Sequence, residues 1–221
     1  MSGHVTATSA SHRPFVPGMG VDWLLPLYDP FTTLLGLDHA RRELLRQAHL
    51  LPGHRVLDVG CGTGSLVVLT KASCPDVDVV GVDPDDKALA RAARKARRVG
   101  ASIQLDRGFS DALDYPDASF DRVLSSFMLH HLERGEKERT LDEIRRVLKP
   151  GGSLHLLDFG RPELPRRRRG RHSHHRLADN DERTVLGLLR DHGFADARKT
   201  AERTVLKLIR VVYYGAGRSL T

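Results

Sequence analysis

Cysteine is scarce in this chain, and its two cysteines form no recognisable site. Cys61 and Cys74 are single residues in a chain of 221, without the clustered spacing of a metal site or a disulfide framework. No apolar run approaches the roughly 20 residues that a membrane span needs. The first 20 residues lack the apolar stretch of a secretory signal. These absences predict a soluble, cytoplasmic protein.

The length and composition predict one domain of ordinary size. The chain has 221 residues, of which 40% are hydrophobic, enough for a sizeable core. We expect a flexible tail over residues 1–20, a helical N-terminal cap over 21–50 and the main domain over 51–221. Within the cap, Asp38 is expected to cap a helix that extends to about Leu50.

Positive charge is concentrated in one segment, a basic loop over residues 161–180. The formal net charge is +7, and residues 161–176 contribute +6 of it, with Glu163 as their one acid. The arginines are Arg161, Arg166, Arg167, Arg168, Arg169, Arg171 and Arg176. Three interpretations stay open: a solvated loop, attraction of an anionic substrate or membrane surface, or phosphate contacts to RNA. His172, His174 and His175 have no neighbouring carboxylate or cysteine, so no metal site is predicted.

Beyond Pro52, predicted strands alternate with predicted helices. Strands are expected at 55–59, 77–82, near 103, at 122–126 and at 153–158, and helices at 64–72, 85–99, 136–148 and 181–192. This alternation indicates an α/β, doubly wound parallel sheet that binds ligands beyond the carboxyl ends of its strands. Two consecutive β-like runs follow, at 195–202 and 205–214. They indicate an antiparallel C-terminal hairpin at the sheet edge.

A glycine-rich turn follows the first predicted strand. It contains Asp58, Gly60, Gly62 and Gly64 and leads directly into a helix. Glycine permits a tight turn and a close ligand, the helix start offers unpaired N–H groups to an anion, and Asp58 suits an ammonium group. A zwitterionic amino-acid moiety satisfies both charges. A dinucleotide fingerprint requires glycine where Ser65 stands, which disfavours a nicotinamide-dependent oxidoreductase but leaves it as an alternative.

A second acid, Asp83, ends the second predicted strand. A carboxylate at this position accepts both hydroxyls of a ribose in doubly wound nucleoside sites. An acid that complements a helix dipole is the competing interpretation, although Asp85 or Asp86 serves that purpose equally well. The position at the strand end favours ribose binding by Asp83.

Four segments then identify a family resemblance. VLDVGCGTG, VVGVD, YPDASFDRVLSSFMLHHL and RRVLKPGGSLHLLD resemble, in order and spacing, the class I S-adenosylmethionine-dependent methyltransferases. The resemblance covers about Val56 to Asp158 and is greatest to the small-molecule branch related to the ubiquinone/menaquinone methyltransferases. It implies S-adenosyl-L-methionine as the cofactor and a Rossmann-like sheet of about seven strands with a reversed final hairpin.

The resemblance also assigns cofactor contacts. The methionine portion would lie against Asp58 and the main chain of Gly60, Cys61 and Gly62. The ribose would bind Asp83, the adenine would contact Pro84, and the carbonyl of Ser126 would contact the amino end.

Two further contacts are less determined. Many relatives have Gly-Asp-Ala where this chain has Gly108, Phe109 and Ser110. Either Phe109 stacks on the adenine or Asp111 replaces the missing aspartate. Tyr28 matches a place where relatives fold a cap over the cofactor, but it could equally be a core residue.

Methyl transfer from a sulfonium is a one-step displacement, so no nucleophile–base pair is required, and no Gly-x-Ser-x-Gly elbow is present. A base would help a hydroxyl acceptor, and the candidates are His131, His130 and Asp158, although the resemblance makes His131 a structural residue at a helix start. The predicted acceptor is a small molecule: a lipid, quinone or secondary metabolite. An RNA methyltransferase is the alternative, but Ser125-Ser126-Phe127 replaces the Asn-Pro-Pro-Tyr signature of many base-methylating relatives.

Overall fold

Helices cover both faces of a seven-stranded sheet in this protein. The computed structural model describes residues 36–160, 180–205 and 209–219. The strands are β1 (Arg55–Val59), β2 (Asp78–Asp83), β3 (Gln104–Arg107), β4 (Phe120–Ser126), β5 (Leu148–Phe159), β6 (Arg198–Val205) and β7 (Ile209–Gly217). The helices are α1 (Leu37–Ala48), α2 (Ser65–Ser73), α3 (Asp86–Arg98), α4 (Arg134–Val147) and α5 (Glu182–Asp191), with a 3-10 turn at Leu129–His131.

The order of the strands is β3-β2-β1-β4-β5-β7-β6. The first five strands in this order run parallel, whereas β7 is antiparallel to both β5 and β6. This confirms the predicted doubly wound α/β sheet with an antiparallel C-terminal hairpin. Among the described residues, no helix has both the length and the apolar character that crossing a membrane requires.

The central strand β1 determines where the site forms. Its side chains Val56, Leu57 and Val59 are fully buried because helices cover both faces of a parallel sheet. In register, Asp58 lies opposite Gly81 of β2 and Leu124 of β4. The carboxyl ends of β1, β2, β4 and β5 therefore meet at one edge of the sheet, where the predicted site residues lie.

Helix α1 is part of the core. Five of its apolar side chains are buried in a cluster with Val56 and Tyr213 of the sheet: Leu37, Ala40, Leu44, Leu45 and Ala48. The described part of the predicted 21–50 cap therefore packs on the sheet. The prediction that Asp38 caps this helix is wrong, because the N-cap residue is Gly36, in a left-handed conformation with φ of 70°.

The opposite face of the sheet carries α4 and α5. Leu141 and Ile144 of α4 and Leu188 of α5 pack with β1, β4 and β5 in a second buried cluster. The predicted tail over 1–20, the 21–35 part of the cap with Tyr28, and the basic loop other than Asn180 lie outside the described residues.

Several strand boundaries differ from the prediction, among them the starts of β5 and of the C-terminal hairpin. Strand β5 begins at Leu148 rather than near 153, because Leu148 pairs with Phe120 and Arg218 exchanges backbone hydrogen bonds with the Gly151–Gly152 pair. The hairpin starts at Arg198 rather than near 195. Residues 195–197 instead complete a turn in which the Ala197 N–H donates to the carbonyl of Phe194 at 3.0 Å.

Candidate active site

The glycine turn after β1 is fixed to the end of β2. The N–H groups of Gly60 and Cys61 both donate to the carbonyl of Val82, at 2.9 and 3.0 Å. The N–H of Gly62 donates to Oδ2 of Asp83 at 2.8 Å. The backbone is left-handed at Gly60 and at Gly62, with φ of 73° and 52°, which explains why glycine occupies both positions.

The three glycines of this turn have different surroundings. A Cβ at Gly60 would lie 2.3 Å from Cγ of Met128, and one at Gly64 would lie 2.6 Å from Cβ of Ala92. At Gly62 a Cβ would meet nothing within 4 Å. Gly60 and Gly64 therefore permit close packing, whereas Gly62 borders open space that a ligand can enter.

Cys61 contributes main chain rather than a reactive thiol. Its side chain is buried against Gly81, where a Cβ would lie 3.0 Å from Sγ. Burial raises the pKa of the Cys61 thiol well above its ordinary value, so the thiol is protonated near neutral pH.

Asp83 holds the turn and the start of α3 together. Its Oδ1 accepts from the N–H of Asp85 at 2.9 Å, while Oδ2 accepts from Gly62. Burial raises the pKa of Asp83 to about 6, and these two backbone hydrogen bonds oppose the rise. Asp85 is the N-cap of α3 and accepts from the N–H of Lys87 at 2.8 Å. The helix-capping role is therefore filled by Asp85, and partly buried Pro84 lies between the two acids.

Asp58 is a buried carboxylate without a partner among the residues that the structure describes. It is 1% exposed, and neither of its side-chain oxygens accepts a hydrogen bond from any described residue. Burial raises its pKa well above the ordinary value and nearby Asp83 adds to the rise, whereas the positive charge of Arg41 opposes it. A buried acceptor in this condition fits a cationic ligand group.

The loop after β3 is attached to α4. Ser110 Oγ lies 2.9 Å from Oγ1 of Thr140, and Asp111 accepts from Nε and Nη2 of Arg139 at 3.1 and 3.0 Å. The Asp111 side chain is only 5% exposed. The structure thus places Ser110 and Asp111 in loop-to-helix contacts, while Phe109 is partly buried and forms a β-bridge with Ala112.

The end of β4 leads into the 3-10 turn. Ser126 is the last residue of β4, is partly buried and lies opposite Leu157 of β5. Phe127 follows with φ of 58°, and its N–H donates to the carbonyl of Leu157 at 2.8 Å. This left-handed residue redirects the chain so that Met128 lies under Gly60 and His130 comes close to the end of β5.

His130 and Asp158 form a hydrogen-bonded pair. Nδ1 of His130 lies 2.6 Å from Oδ1 of Asp158, and the His130 backbone N–H donates to Oδ2 at 3.0 Å. The N–H of Phe159 also donates to Oδ1 at 2.7 Å. Burial alone would raise the pKa of Asp158, but His130 and these hydrogen bonds hold it below its ordinary value.

The third catalytic candidate, His131, takes no part in this pair. Its ring centroid lies 4.1 Å from that of His130, and its N–H donates to the carbonyl of Met128 within the 3-10 turn. The structure therefore brings together two of the three candidates, His130 and Asp158. Within the described ranges, no three His, Cys, Asp or Glu side chains are grouped closely enough to hold a metal ion.

The sequence interpretation missed Arg41. This arginine is 2% exposed on the buried side of α1, and its guanidinium carbon lies 5.5 Å from the centroid of the Phe127 ring. The signal was available, because Arg41 shares the helical face of Leu37, Leu44 and Leu45. A charged residue on an otherwise apolar face requires a reason to be there.

Comparisons with known proteins agree with this geometry. Residues 56–152 match the profile of a family described as a methyltransferase domain. The chain is 40% identical over 127 residues to the demethylmenaquinone methyltransferase of Symbiobacterium thermophilum, covering 55% of this chain and 49% of that protein. It is 37% identical over 119 residues to the 27-O-demethylrifamycin SV methyltransferase of Amycolatopsis mediterranei, covering 52% and 43%.

A solved structure supports the fold. The crystal structure of the cyclase SpnF superposes with a TM-score of 0.70 at 21% identity and covers 83% of this chain and 82% of that one. This chain spans about half the length of the demethylmenaquinone methyltransferase that it matches. Residues 56–152 are thus similar to a methyltransferase domain, and they lie within a seven-stranded sheet that ends in a reversed hairpin.

Proposed function

We propose that this chain is an S-adenosylmethionine-dependent methyltransferase acting on a small-molecule acceptor of the quinone, lipid or secondary-metabolite kind. The observation that carries the proposal is the buried carboxylate of Asp58, which has no partner in the described part of the chain and lies near the open space at Gly62. An ammonium group there would give the carboxylate its missing hydrogen bonds. The relatives named for demethylmenaquinone and 27-O-demethylrifamycin SV support the class of acceptor.

The residues around the glycine turn fit the parts of this cofactor. Asp58 would hold the ammonium group, and the backbone from Gly60 to Gly62 would lie along the methionine portion. Asp83 already accepts two N–H groups, but a carboxylate has about four lone-pair positions and can still accept from the ribose hydroxyls. When bound, S-adenosylmethionine supplies an electrophilic methyl group on a sulfonium.

On the adenine side, the geometry favours Phe109 over Asp111. The Asp111 carboxylate is engaged by Arg139 and is almost fully buried. Moving this carboxylate to the adenine would break an ion pair in which two guanidinium nitrogens of Arg139 donate to Oδ2 of Asp111. We therefore propose that Pro84 and Phe109 contact the base, and that Ser110 and Asp111 hold the loop that carries Phe109.

His130 is proposed as the base that removes a proton from the acceptor. Because Asp158 is an acceptor for three nitrogen atoms, Nδ1 of His130 carries the hydrogen and donates it. Nε2 is then the acceptor atom of the ring. A proton taken from the acceptor hydroxyl would produce an imidazolium that the Asp158 charge stabilises.

The competing functions lack a supporting observation. The arginine-rich residues 166–176, on which RNA or membrane contact would depend, lie outside the described residues. The glycine turn has Ser65 where a nicotinamide fingerprint requires glycine, and both curated relatives described above are methyltransferases. A small-molecule methyltransferase is therefore the function to test first.

Isothermal titration with S-adenosylhomocysteine tests the cofactor assignment. We expect binding by the whole chain and a dissociation constant raised at least about tenfold by Asp83→Ala, which removes a charged hydrogen-bond partner of the ribose. Asp86→Ala is the matched control, because Asp86 is exposed and pairs with Arg107 only at 3.5 Å. If the unaltered chain does not bind the compound, the proposed function is wrong.

The acceptor class needs a separate experiment. The purified chain would be incubated with methyl-labelled S-adenosylmethionine and a panel of quinols, lipids, phenolic secondary metabolites and RNA. We expect the label to appear in a small molecule, and we expect this labelling to be lost when His130 is replaced. Label in RNA alone would replace the proposed acceptor class with the nucleic-acid alternative.

A further inference from the structure

One edge of the Arg41 guanidinium carries a nitrogen, Nε, that no described residue satisfies. Its Nη1 donates to Oδ1 of Asp38 at 2.9 Å, one turn earlier in α1. Its Nε is buried and has no hydrogen-bond partner within the described ranges. A guanidinium is always charged and prefers to bind a carboxylate through two nitrogens, so this edge is suited to an anion.

Arg41 lies beside the predicted cofactor site. The guanidinium lies 5.5 Å from the ring of Phe127, the residue that follows the end of β4. Its positive charge also reaches the Asp58 carboxylate at the end of the neighbouring β1, where it lowers the pKa that burial raises. Arg41 and Asp58 are therefore close enough to interact electrostatically at the same edge of the sheet.

The two groups nevertheless leave each other unsatisfied. Within the described residues, Asp58 has two buried oxygens without a donor, and Arg41 has a buried Nε without an acceptor. If Arg41 were present only to neutralise Asp58, a direct ion pair would be the favourable arrangement. Two buried groups of opposite charge, each with hydrogen-bonding capacity that no described residue uses, instead match a ligand that brings one charge for each.

We propose that Arg41 and Asp58 form a two-charge site for an α-amino acid group, with Arg41 donating to the carboxylate and Asp58 accepting from the ammonium. The inference rests on the proposed function, since S-adenosylmethionine ends in such a group. It assigns the first described helix, expected to be part of a cap, a direct role in holding the cofactor. Asp38 acts as the positioning residue that fixes the guanidinium.

Ligands that differ by one charge test the assignment. Dissociation constants would be measured by isothermal titration for S-adenosylhomocysteine and for its decarboxylated analogue, which keeps the ammonium and lacks the carboxylate. Arg41→Gln is expected to raise the dissociation constant of S-adenosylhomocysteine at least about tenfold, which is the effect of losing one charged hydrogen bond. The same variant should leave the affinity for the analogue within about twofold, because the analogue has no group for Arg41 to bind.

Two further variants keep the test decisive. Arg42→Gln is the matched control, because Arg42 is the exposed neighbour on the same helix, and it should change neither affinity. Arg41→Lys keeps the positive charge but loses the paired N–H donors of the guanidinium. It should weaken the binding of S-adenosylhomocysteine only, and by less than Arg41→Gln does. It also serves if Arg41→Gln does not fold.

The outcomes separate the two proposals. Equal losses for both ligands, or no loss for either, would overturn the role of Arg41 and leave the cofactor assignment in place. If the unaltered chain binds neither ligand, the proposed function fails, and the two-charge site fails with it.

Discussion

Asp58 and Asp158 are both buried carboxylates near the ends of parallel strands, and only β4 separates their strands in the sheet. Asp158 interacts with three nitrogen atoms, two of them backbone, whereas Asp58 accepts from no described residue. The pKa of Asp158 is accordingly lowered and that of Asp58 is raised. Similar burial therefore accompanies pKa shifts in opposite directions.

The difference indicates that buried aspartates have two distinct roles in this protein. A carboxylate whose acceptor positions are already used holds other groups in place, as Asp158 holds His130. A buried carboxylate that lacks donors can receive its hydrogen bonds from a bound ligand. The partners of a buried acid, more than its burial, thus distinguish a positioning residue from a binding residue.

The largest effect is expected from removing the group that Asp158 positions. His130→Ala should lower the rate of methyl transfer about 10²- to 10⁴-fold, the usual range for a general base. Binding of S-adenosylhomocysteine, measured by titration, should not change. His131→Ala is the matched control and should retain most of the rate. A similar loss in both variants would contradict the assignment of the base to His130.

The satisfied carboxylate should be the more costly one to neutralise. Asp158→Asn is expected to lower the free energy of unfolding by about 3 kcal/mol, because the amide places an N–H against backbone N–H donors and removes a buried charge from its partner. Urea denaturation measures this change. Asp142→Asn is a close control, since Asp142 lies 2.6 Å from Nδ1 of His192 but is 64% exposed. It should cost less than about 1 kcal/mol.

His155 extends the comparison to a buried base with one partner. Its Nε2 lies 3.0 Å from Ser153 Oγ, its Nδ1 has no partner in the described part of the chain, and burial lowers its pKa to about 4. Since the unfolded chain takes up this proton from about pH 6.5 downwards, stability should fall as the pH drops from 6.5 towards 4. The loss should reach about 2 kcal/mol at pH 5.

Denaturation of His155→Gln at pH 7.5 and pH 5 measures that contribution. The variant should lose less stability than the unaltered chain over this interval, because glutamine does not titrate. An equal acid sensitivity of the two proteins would mean that His155 is protonated in the folded state.

The smallest change in stability is expected at Asp58. Asp58→Asn should leave the free energy of unfolding unchanged or raise it by about 1 kcal/mol at pH 8, because it removes an unpaired buried charge. A raised folded-state pKa means that the native chain holds the proton more tightly, so this gain should disappear as the pH falls towards 4. The same variant should weaken S-adenosylhomocysteine. A stability loss as large as that of Asp158→Asn would remove the distinction between the two acids.

The sequence predicts this fold well where the signal is local. Strand β1 begins and ends where its β-rich run does, because Val56, Leu57 and Val59 are apolar and a glycine turn follows. The start of β5 was predicted five residues late, since its first residues are held by Phe120 and Arg218, which are distant in sequence.

The candidate site likewise divides into residues with a local sequence signal and residues whose contacts are distant in sequence. Asp58, Asp83 and the glycines could be predicted because the two acids lie at the ends of β1 and β2 and the glycines follow β1 within a recognisable motif. The pairing of His130 with Asp158 joins residues 28 positions apart through the redirection at Phe127, and no local pattern specifies it. Arg41 has no such motif signal, because it lies in α1, before the recognisable segments that begin at Val56.

The contact between Gly64 and Ala92 limits how related sequences can diverge. A side chain at position 64 would collide with the helix at Ala92, and Ala92 lies with Ala88 and Ala96 on the buried face of α3. We therefore expect slow substitution over evolution at Gly64 and at the three alanines, and fast substitution at the arginines on the outer face of α3. Across an alignment, we expect positions 64 and 92 to vary together, with the ligand-binding turn and α3 inherited as one unit.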